Sequence, residues 1–273
     1  MSGATDHTGI QPGEVTSFLT DSTLCIGCKA CEVACKEWNG ISADGYDFTG
    51  WSYDNTAALG HSTWRHVKFV EGEITPGIGG NSAQQLSWEF SSDVCKHCEV
   101  AGCLEACPTG SLVRTEFGSV FLQPDICNGC SYCVISCPFG VVQKNEDDGR
   151  AFKCTFCTDR QKAGMMPACA KACPTESIKF GRLDELKVEA QVRLATLQSR
   201  GMTDAQIYDP THTSVKGIHS MFIIRGEPET YNLPPRPEVP TIYLKDAWKS
   251  AAFEAVAMVG AVVASFFFLG RKG

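Results

Sequence analysis

The stretch Cys127-Asn128-Gly129-Cys130-Ser131-Tyr132-Cys133-Val134-Ile135-Ser136-Cys137-Pro138 carries four thiols spaced C-x2-C-x2-C-x3-C and closed by proline. Three thiols within seven residues of a tight loop can reach three corners of one metal-sulfur core. The fourth follows after three more residues, on a short helix facing the other way, and is expected to serve a second core. Gly129 lets backbone N–H groups approach the sulfurs with no side chain in the way. Pro138 then ends the turn.

Working outward, the same grammar recurs in three more places. Cys25, Cys28, Cys31 and Cys35 repeat the spacing, Cys95, Cys98, Cys103 and Cys107 read C-x2-C-x4-C-x3-C, and Cys154, Cys157, Cys169 and Cys173 read C-x2-C-x11-C-x3-C. Together they use all 16 cysteines of the 273-residue chain, so none is left over. The runs constitute an internal repeat. Three of them end in Cys-Pro (Pro108, Pro138, Pro174), the bacterial ferredoxin signature for thiolates that hold [4Fe-4S] clusters, while the first has Lys36 in place of proline. Structural zinc would show paired knuckles with four ligands per site and no repeated x3-C-P ending. A disulfide framework would show irregular spacing and need an oxidising compartment.

Ser111 to Gln123, between the second and third runs, reads as a hairpin with its break at Glu116 to Gly118. A hairpin of this kind spans one side of a ferredoxin module, which pairs those two runs and leaves the first and fourth for each other. The expected ligand sets are therefore crossed. Cys137 joins Cys95, Cys98 and Cys103; Cys107 joins Cys127, Cys130 and Cys133; Cys173 joins Cys25, Cys28 and Cys31; Cys35 joins Cys154, Cys157 and Cys169. The fold class expected is α+β, two nested bacterial ferredoxin-like modules, each with two [4Fe-4S] clusters, followed by an extended strap and a single helix. In residue ranges, module A would take 1–94 (with an insertion) and 151–200, module B 95–150, the strap 201–246 and the helix 247–270.

Composition narrows the partners. Lys plus Arg is 24 against 31 Asp plus Glu, a formal charge of −7, so nucleic acid is not an expected partner. Sixteen thiolates on four +2 cores would take the charge to about −15. Lys29, Lys36, Lys96, Lys153 and Lys171, within or beside the runs, are candidates to offset it and to raise reduction potentials. Met1 to Thr20 lacks a charged region followed by an apolar one and does not read as a secretory signal. Residues 36–94 form a long insertion rich in aromatics (Trp38, Tyr46, Phe48, Trp51, Tyr53, Trp64), expected to shield the cluster loops from water.

Beyond the last run, Ile178 to Phe180 suggests a strand. Leu183, Leu186, Ala190, Leu194 and Leu197 then mark an amphipathic helix stopped by Gly201. Met221 to Ile224 reads as a buried strand, and five prolines between Pro228 and Pro240 suggest an extended path. Ala251 to Leu269 carries no charge except Glu254 and is long enough for a membrane span. Lys245 and Lys249 balance Arg271 and Lys272, so charge assigns no orientation.

Three stretches resemble the iron-sulfur (beta) subunit of membrane-bound formate dehydrogenases: Cys25-Ile26-Gly27-Cys28-Lys29-Ala30-Cys31 through Cys35-Lys36-Glu37-Trp38-Asn39, then Lys153-Cys154-Thr155-Phe156-Cys157-Thr158-Asp159-Arg160, and the tail after Tyr208-Asp209-Pro210. The likeness covers nearly the whole chain. It implies that all sixteen cysteines bind four [4Fe-4S] clusters and that one membrane helix ends the chain. It also implies two partners, a molybdenum or tungsten bis-pterin catalytic subunit and a membrane cytochrome b. Nitrate-reductase-type relatives replace one ligand and hold a [3Fe-4S] cluster, whereas every position here is cysteine. Partners of dimethyl sulfoxide or polysulfide reductases are usually shorter and lack the tail helix; the same wiring role for one of these remains the alternative. A stand-alone ferredoxin-like reductase would need a substrate site, and the chain has no P-loop, dinucleotide fingerprint, zinc-protease or nucleophile motif. The six histidines (His7, His61, His66, His97, His212, His219) are scattered, and His97, between Cys95 and Cys98, is the candidate tuner.

Overall fold

Thr16–Asp21 forms a wholly buried strand, β1, in a sequence where polar residues outnumber apolar ones. Its buried hydroxyls have partners: Thr16 Oγ1 donates to the Phe117 carbonyl (3.3 Å), and Ser17 Oγ to that of His219 (3.1 Å). The computed structural model describes residues 8–43, 56, 58–73 and 86–269. In chain order β1 is followed by α1 (Ala30–Asn39), the antiparallel pair β2 (Arg65–Glu73) and β3 (Leu86–Val94), α2 (Gly102–Glu105), the hairpin β4 (Leu112–Arg114) and β5 (Val120–Leu122), and α3 (Tyr132–Ile135). Then come the pair β6 (Gln143–Lys144) and β7 (Ala151–Phe152), α4 (Thr158–Lys162), α5 (Ala168–Lys171), β8 (Ile178–Arg182), α6 (Leu183–Ser199), β9 (Ala205–Tyr208), β10 (Ser220–Arg225) and α7 (Leu244–Leu269).

The largest sheet has the order β8-β1-β10-β9, with β1 and β10 parallel and the outer pairings antiparallel. Because β10 is central, its run Ser220-Met221-Phe222-Ile223-Ile224 is buried without alternation. Helix α6 lies on this sheet through Leu186, Ala190 and Leu197, with Leu183 and Leu194 partly buried, which is the expected stripe. Burying each leucine contributes roughly 1.5–3 kcal/mol relative to exposure. Gly201, at φ +88°, follows the helix end.

The expected 201–246 strap needs correction. Its first half supplies β9 and β10 to the sheet, and Pro228–Tyr231 and Pro240–Tyr243 are 3-10 turns. Prolines favour the first turn of such helices as readily as an extended path. Tyr208 Oη donates to the Pro234 carbonyl (2.6 Å), and the Val239 N–H to Ser214 Oγ (2.7 Å), fastening the segment to the body.

Two compact units result, Met1–Val239 and Pro240–Gly273. The second contains α7, whose 26 residues extend about 39 Å at 1.5 Å per residue. It begins three residues earlier than expected. Among the described residues it is the helix long and apolar enough to cross a membrane. Of the sequence expectations, His7, Tyr46, Phe48, Trp51, Tyr53, Arg271 and Lys272 lie outside the described residues.

Candidate metal centre

The four cysteine runs adopt one local design. The residue two positions after the first cysteine is left-handed in every run: Gly27 (φ +67°), His97 (+45°), Gly129 (+72°) and Phe156 (+59°). Such a residue turns successive N–H groups into a concave, anion-accepting loop. The Phe156 N–H donates to Cys154 Sγ (3.3 Å), and the Ala151 N–H to Cys127 Sγ (3.5 Å). In each run the third cysteine enters a helix: Cys31 in α1, Cys103 in α2, Cys133 in α3 and Cys169 in α5. The fourth stands one turn further on.

The Cys-Pro endings have a physical role. After Cys107 and after Cys137 the backbone turns through a left-handed glycine, Gly110 (φ +68°) or Gly140 (φ +63°). Against burial, which raises the Cys107 thiol, the Thr109 hydroxyl and the N–H groups of Leu112, Thr109 and Ser111 pull it below its ordinary value. Cys137 receives the matching N–H groups of Phe139, Val141 and Val142, although burial and Cys95 still leave it raised. Both turns present donors at the same offsets, which suits a sulfur that must carry negative charge. The departure at Lys36 has its own logic. Without proline, α1 continues beyond Cys35 to Asn39, and Lys36 Nζ donates to the carbonyls of Ser42 (3.1 Å) and Ser62 (2.7 Å).

Folding collects thiols from distant runs. A pocket open to solvent is lined by Cys25, Cys28, Cys31 and Cys173 together. Cys35 has Cys154, Cys169 and Cys157 as its thiol neighbours. Cys98 has Cys95, Cys103 and Cys137, and Cys133 has Cys127, Cys107 and Cys130. All sixteen are free of disulfides. Among the described residues no three Cys, His, Asp or Glu side chains stand at the spacing of ligands to one metal ion, so these are wider sets. Burial raises most of the enclosed thiols, Cys31, Cys103 and Cys154 each to about 12 and Cys133 to about 11.

Adjacent sets also act on one another electrostatically. Cys31 of the first lies within electrostatic reach of Cys169 of the second, Cys154 of the second of Cys95 of the third, and Cys103 of the third of Cys133 of the fourth. The four sets thus stand in a row. Exposed Cys28 and Cys130 lie in the two terminal sets.

The described part of the insertion covers these loops. Phe90 on β3 fills the space where a Cβ on Gly27 would stand, 2.8 Å away. Trp38 Nε1 donates to Asp159 (2.8 Å) and its ring receives the Arg160 guanidinium at 4.3 Å, tying α1 to α4. Trp64 is held locally, Nε1 donating to the His61 carbonyl (2.9 Å).

Two candidate tuning lysines are buried. Lys96 pairs with Asp93 and donates to the Val94 carbonyl (2.8 Å), beside Cys98. Lys153 donates to the carbonyls of Val120 (2.5 Å) and Cys154 (2.9 Å), beside Cys103. His97 is also buried, accepts the Val120 N–H at Nδ1 (3.1 Å) and meets the Phe156 ring at a tilt, centroids 4.4 Å apart. Sequence reasoning missed Arg65, a buried guanidinium donating to Cys169 Sγ (3.4 Å). It stands outside every cysteine run.

Family models for a 4Fe-4S dicluster domain match residues 24–111 and 86–183. The formate dehydrogenase iron-sulfur subunit of Haemophilus influenzae is 41% identical over 253 residues, covering 90% of this chain and 77% of that one. The protein belongs to the formate dehydrogenase iron-sulfur subunits. A second member, the formate dehydrogenase-O iron-sulfur subunit of Escherichia coli, is 39% identical over 93% of this chain and 82% of its own length. A subunit of the anaerobic dimethyl sulfoxide reductase of the same organism is 33% identical over 62% of this chain and 75% of its own length. As a member of this family the chain is an iron-sulfur electron-transfer subunit, not a catalytic one. The matched ranges follow chain order and overlap at 86–111, so they leave the pairing of the runs open.

Proposed function

We propose that the chain holds four [4Fe-4S] clusters, one per thiol set, and conducts electrons from the pterin catalytic subunit of a formate dehydrogenase toward a membrane cytochrome b. The ligand sets are Cys25, Cys28, Cys31 and Cys173; Cys35, Cys154, Cys157 and Cys169; Cys95, Cys98, Cys103 and Cys137; Cys107, Cys127, Cys130 and Cys133. So bound, the clusters supply one-electron chemistry along a row. The observation that carries the reading is that row, in which each set has a thiol within electrostatic reach of one of the next. The chain's own part is to hold the thiols, donate N–H groups to them, exclude water and keep two terminal sets near the surface.

The same reading nests residues 95–150, module B, inside module A, built from 1–94 and 151–200. It is supported by contacts that bind the ends of module A, the Trp38 to Asp159 hydrogen bond and the packing of α1 on α5. Within module B, Gly102 approaches the Ser136 carbonyl so closely that a Cβ there would stand 2.5 Å from it. The third unit of the reading is a membrane anchor in α7, with Glu254 at the interface or paired with a neighbouring subunit. Formate is favoured over dimethyl sulfoxide because the formate relatives align over 90–93% of this chain and the dimethyl sulfoxide relative over 62%.

Cys173→Ala, with the partner subunits present, tests the assignment. Spectroscopy should find the cluster of Cys25, Cys28 and Cys31 damaged and that of Cys154, Cys157 and Cys169 initially complete. The reverse result would refute the crossed sets. Formate-dependent dye reduction by the natively purified complex tests the substrate, and its absence alongside dimethyl sulfoxide activity would move the chain to the other branch.

A further inference from the structure

Arg65 opens β2 opposite Val94 of β3, and its side chain is among the largest that are fully buried. Its guanidinium lies 4.9 Å from the Phe18 ring centre. Nη1 donates to the Ser92 carbonyl (3.0 Å) and Ser92 Oγ (3.4 Å), and Nη2 to Cys169 Sγ (3.4 Å), while Nε has no partner. Ser92 Oγ is in turn 3.2 Å from Cys31 Sγ. One cation therefore reaches the first thiol set through Ser92 and the second directly.

Arginine cannot shed its proton to escape burial. A buried charge with no partner is strongly unfavourable. Among the described residues no carboxylate forms an ion pair with Arg65, and the charged groups that dominate its surroundings are Cys169, Cys31 and Cys154. The anions that balance it are thus cluster thiolates from two sets. A fixed cation stabilises an added electron on a nearby core and raises its reduction potential. The attraction weakens with distance, so its effect belongs to the two sets it adjoins.

Resting on the four-cluster reading, we propose that Arg65 is the shared counter-ion of the first two clusters, raising both reduction potentials together and lessening the repulsion between electrons that occupy neighbouring sites. It is a positioning charge for electron transfer at the end of the row that begins with Cys25.

The test uses the full chain in its complex, with Arg65→Met, Arg65→Gln and Arg65→Lys. Gln keeps a hydrogen-bond donor without the charge, and Lys keeps the charge. Iron content is measured first, then each cluster's potential by redox titration followed by electron paramagnetic resonance. With iron retained, Met and Gln should each lower the reduction equilibrium of the first two clusters at least tenfold, about 59 mV for one electron. Lys should stay near wild type, and the other two clusters should not move. Unchanged potentials, an equal fall at all four clusters, or a fall in Lys as large as in Met would overturn the proposal. Should the neutral variants fail to assemble, wild-type complex labelled with ¹⁵N-arginine decides. A ¹⁵N coupling at both reduced clusters, lost in Arg65→Lys, supports the proposal, and no such coupling overturns it. Wild-type protein without iron would instead defeat the cluster reading itself.

Discussion

Gly129→Ala probes the exposed end of the row, and its cost can be built from the geometry. A Cβ at this position would stand 2.2 Å from the Gly149 carbonyl oxygen, where ordinary contact begins at 3.4 Å. The carbonyl belongs to the turn closed by Gly149 N–H to Asn145 O (2.8 Å) and Asn145 N–H to Arg150 O (2.8 Å). Pushing that turn away draws the Ala151 N–H off Cys127 Sγ, so the damage should reach the sulfur. Left-handed backbone at φ +72° adds about 1–2 kcal/mol for alanine. Overpacking adds about 1–3 kcal/mol, for a total of about 2–5 kcal/mol. Gly140→Ala is the control, because Gly140 is equally left-handed and has nothing within 4 Å of the added carbon. It should cost only the backbone part, about 1–2 kcal/mol. Anaerobic melts of the holoprotein should separate the two by about 2–4 °C per kcal/mol of the difference. In Gly129→Ala the cluster of Cys107, Cys127, Cys130 and Cys133 should be lost first, as followed by electron paramagnetic resonance. Indistinguishable melts, or first loss at another cluster, would refute the reasoning.

Further outcomes are expected. Anaerobic analysis should return about sixteen iron and about sixteen sulfide per chain, and chelation should unfold both modules by circular dichroism; stoichiometric zinc would contradict this. Burial holds Cys103 at about 12 and Cys133 at about 11 in the cluster-free chain, so the proton competes with the metal and cluster assembly should strengthen as pH rises from about 6.5 to 8.5, with protons released. Calorimetry in buffers of different ionisation heat would measure that release, and pH-independent assembly would count against it. Truncation after Val239, the end of the first compact unit, should leave a cluster-bearing protein that no longer fractionates with membranes. A truncated protein that still sediments with lipid would rule out the anchor. Trp38→Ala removes both the Asp159 hydrogen bond and the Arg160 stacking, and should loosen the cluster of Cys35 before that of Cys107.

The thiol-bearing loops were legible because their chemistry is local. Spacing within a run sets which sulfurs can face one core, and Gly129 or Pro138 shapes a turn by its own backbone limits. The Ser111 to Gln123 hairpin and the α6 stripe were equally readable, since alternation and a 3.6-residue period depend on near neighbours. Strand β1 was not, because its buried hydroxyls are satisfied by carbonyls up to 202 residues away and give no apolar alternation. Strand β9 shows the same limit, where an extended strap was expected, whereas β10 was legible as the buried run Met221 to Ile224 and only its place beside β1 was not.

What the sequence by itself determined is the number of thiols, their grouping and the type of core they suit, since ligand chemistry follows from residue type and short-range spacing. Only the tertiary structure decided which sets are neighbours, because Cys31 within electrostatic reach of Cys169 and Cys154 within reach of Cys95 bring together separate loops across the packed body. It alone also distinguished the charges that matter. Lys29, Lys96 and Lys153 look alike in the chain, yet Lys96 and Lys153 are buried, while Arg65, thirty residues from the nearest run on either side, reaches sulfur. The physical reason is that an electrostatic effect depends on distance and desolvation, and both are set by long-range packing rather than by position along the chain.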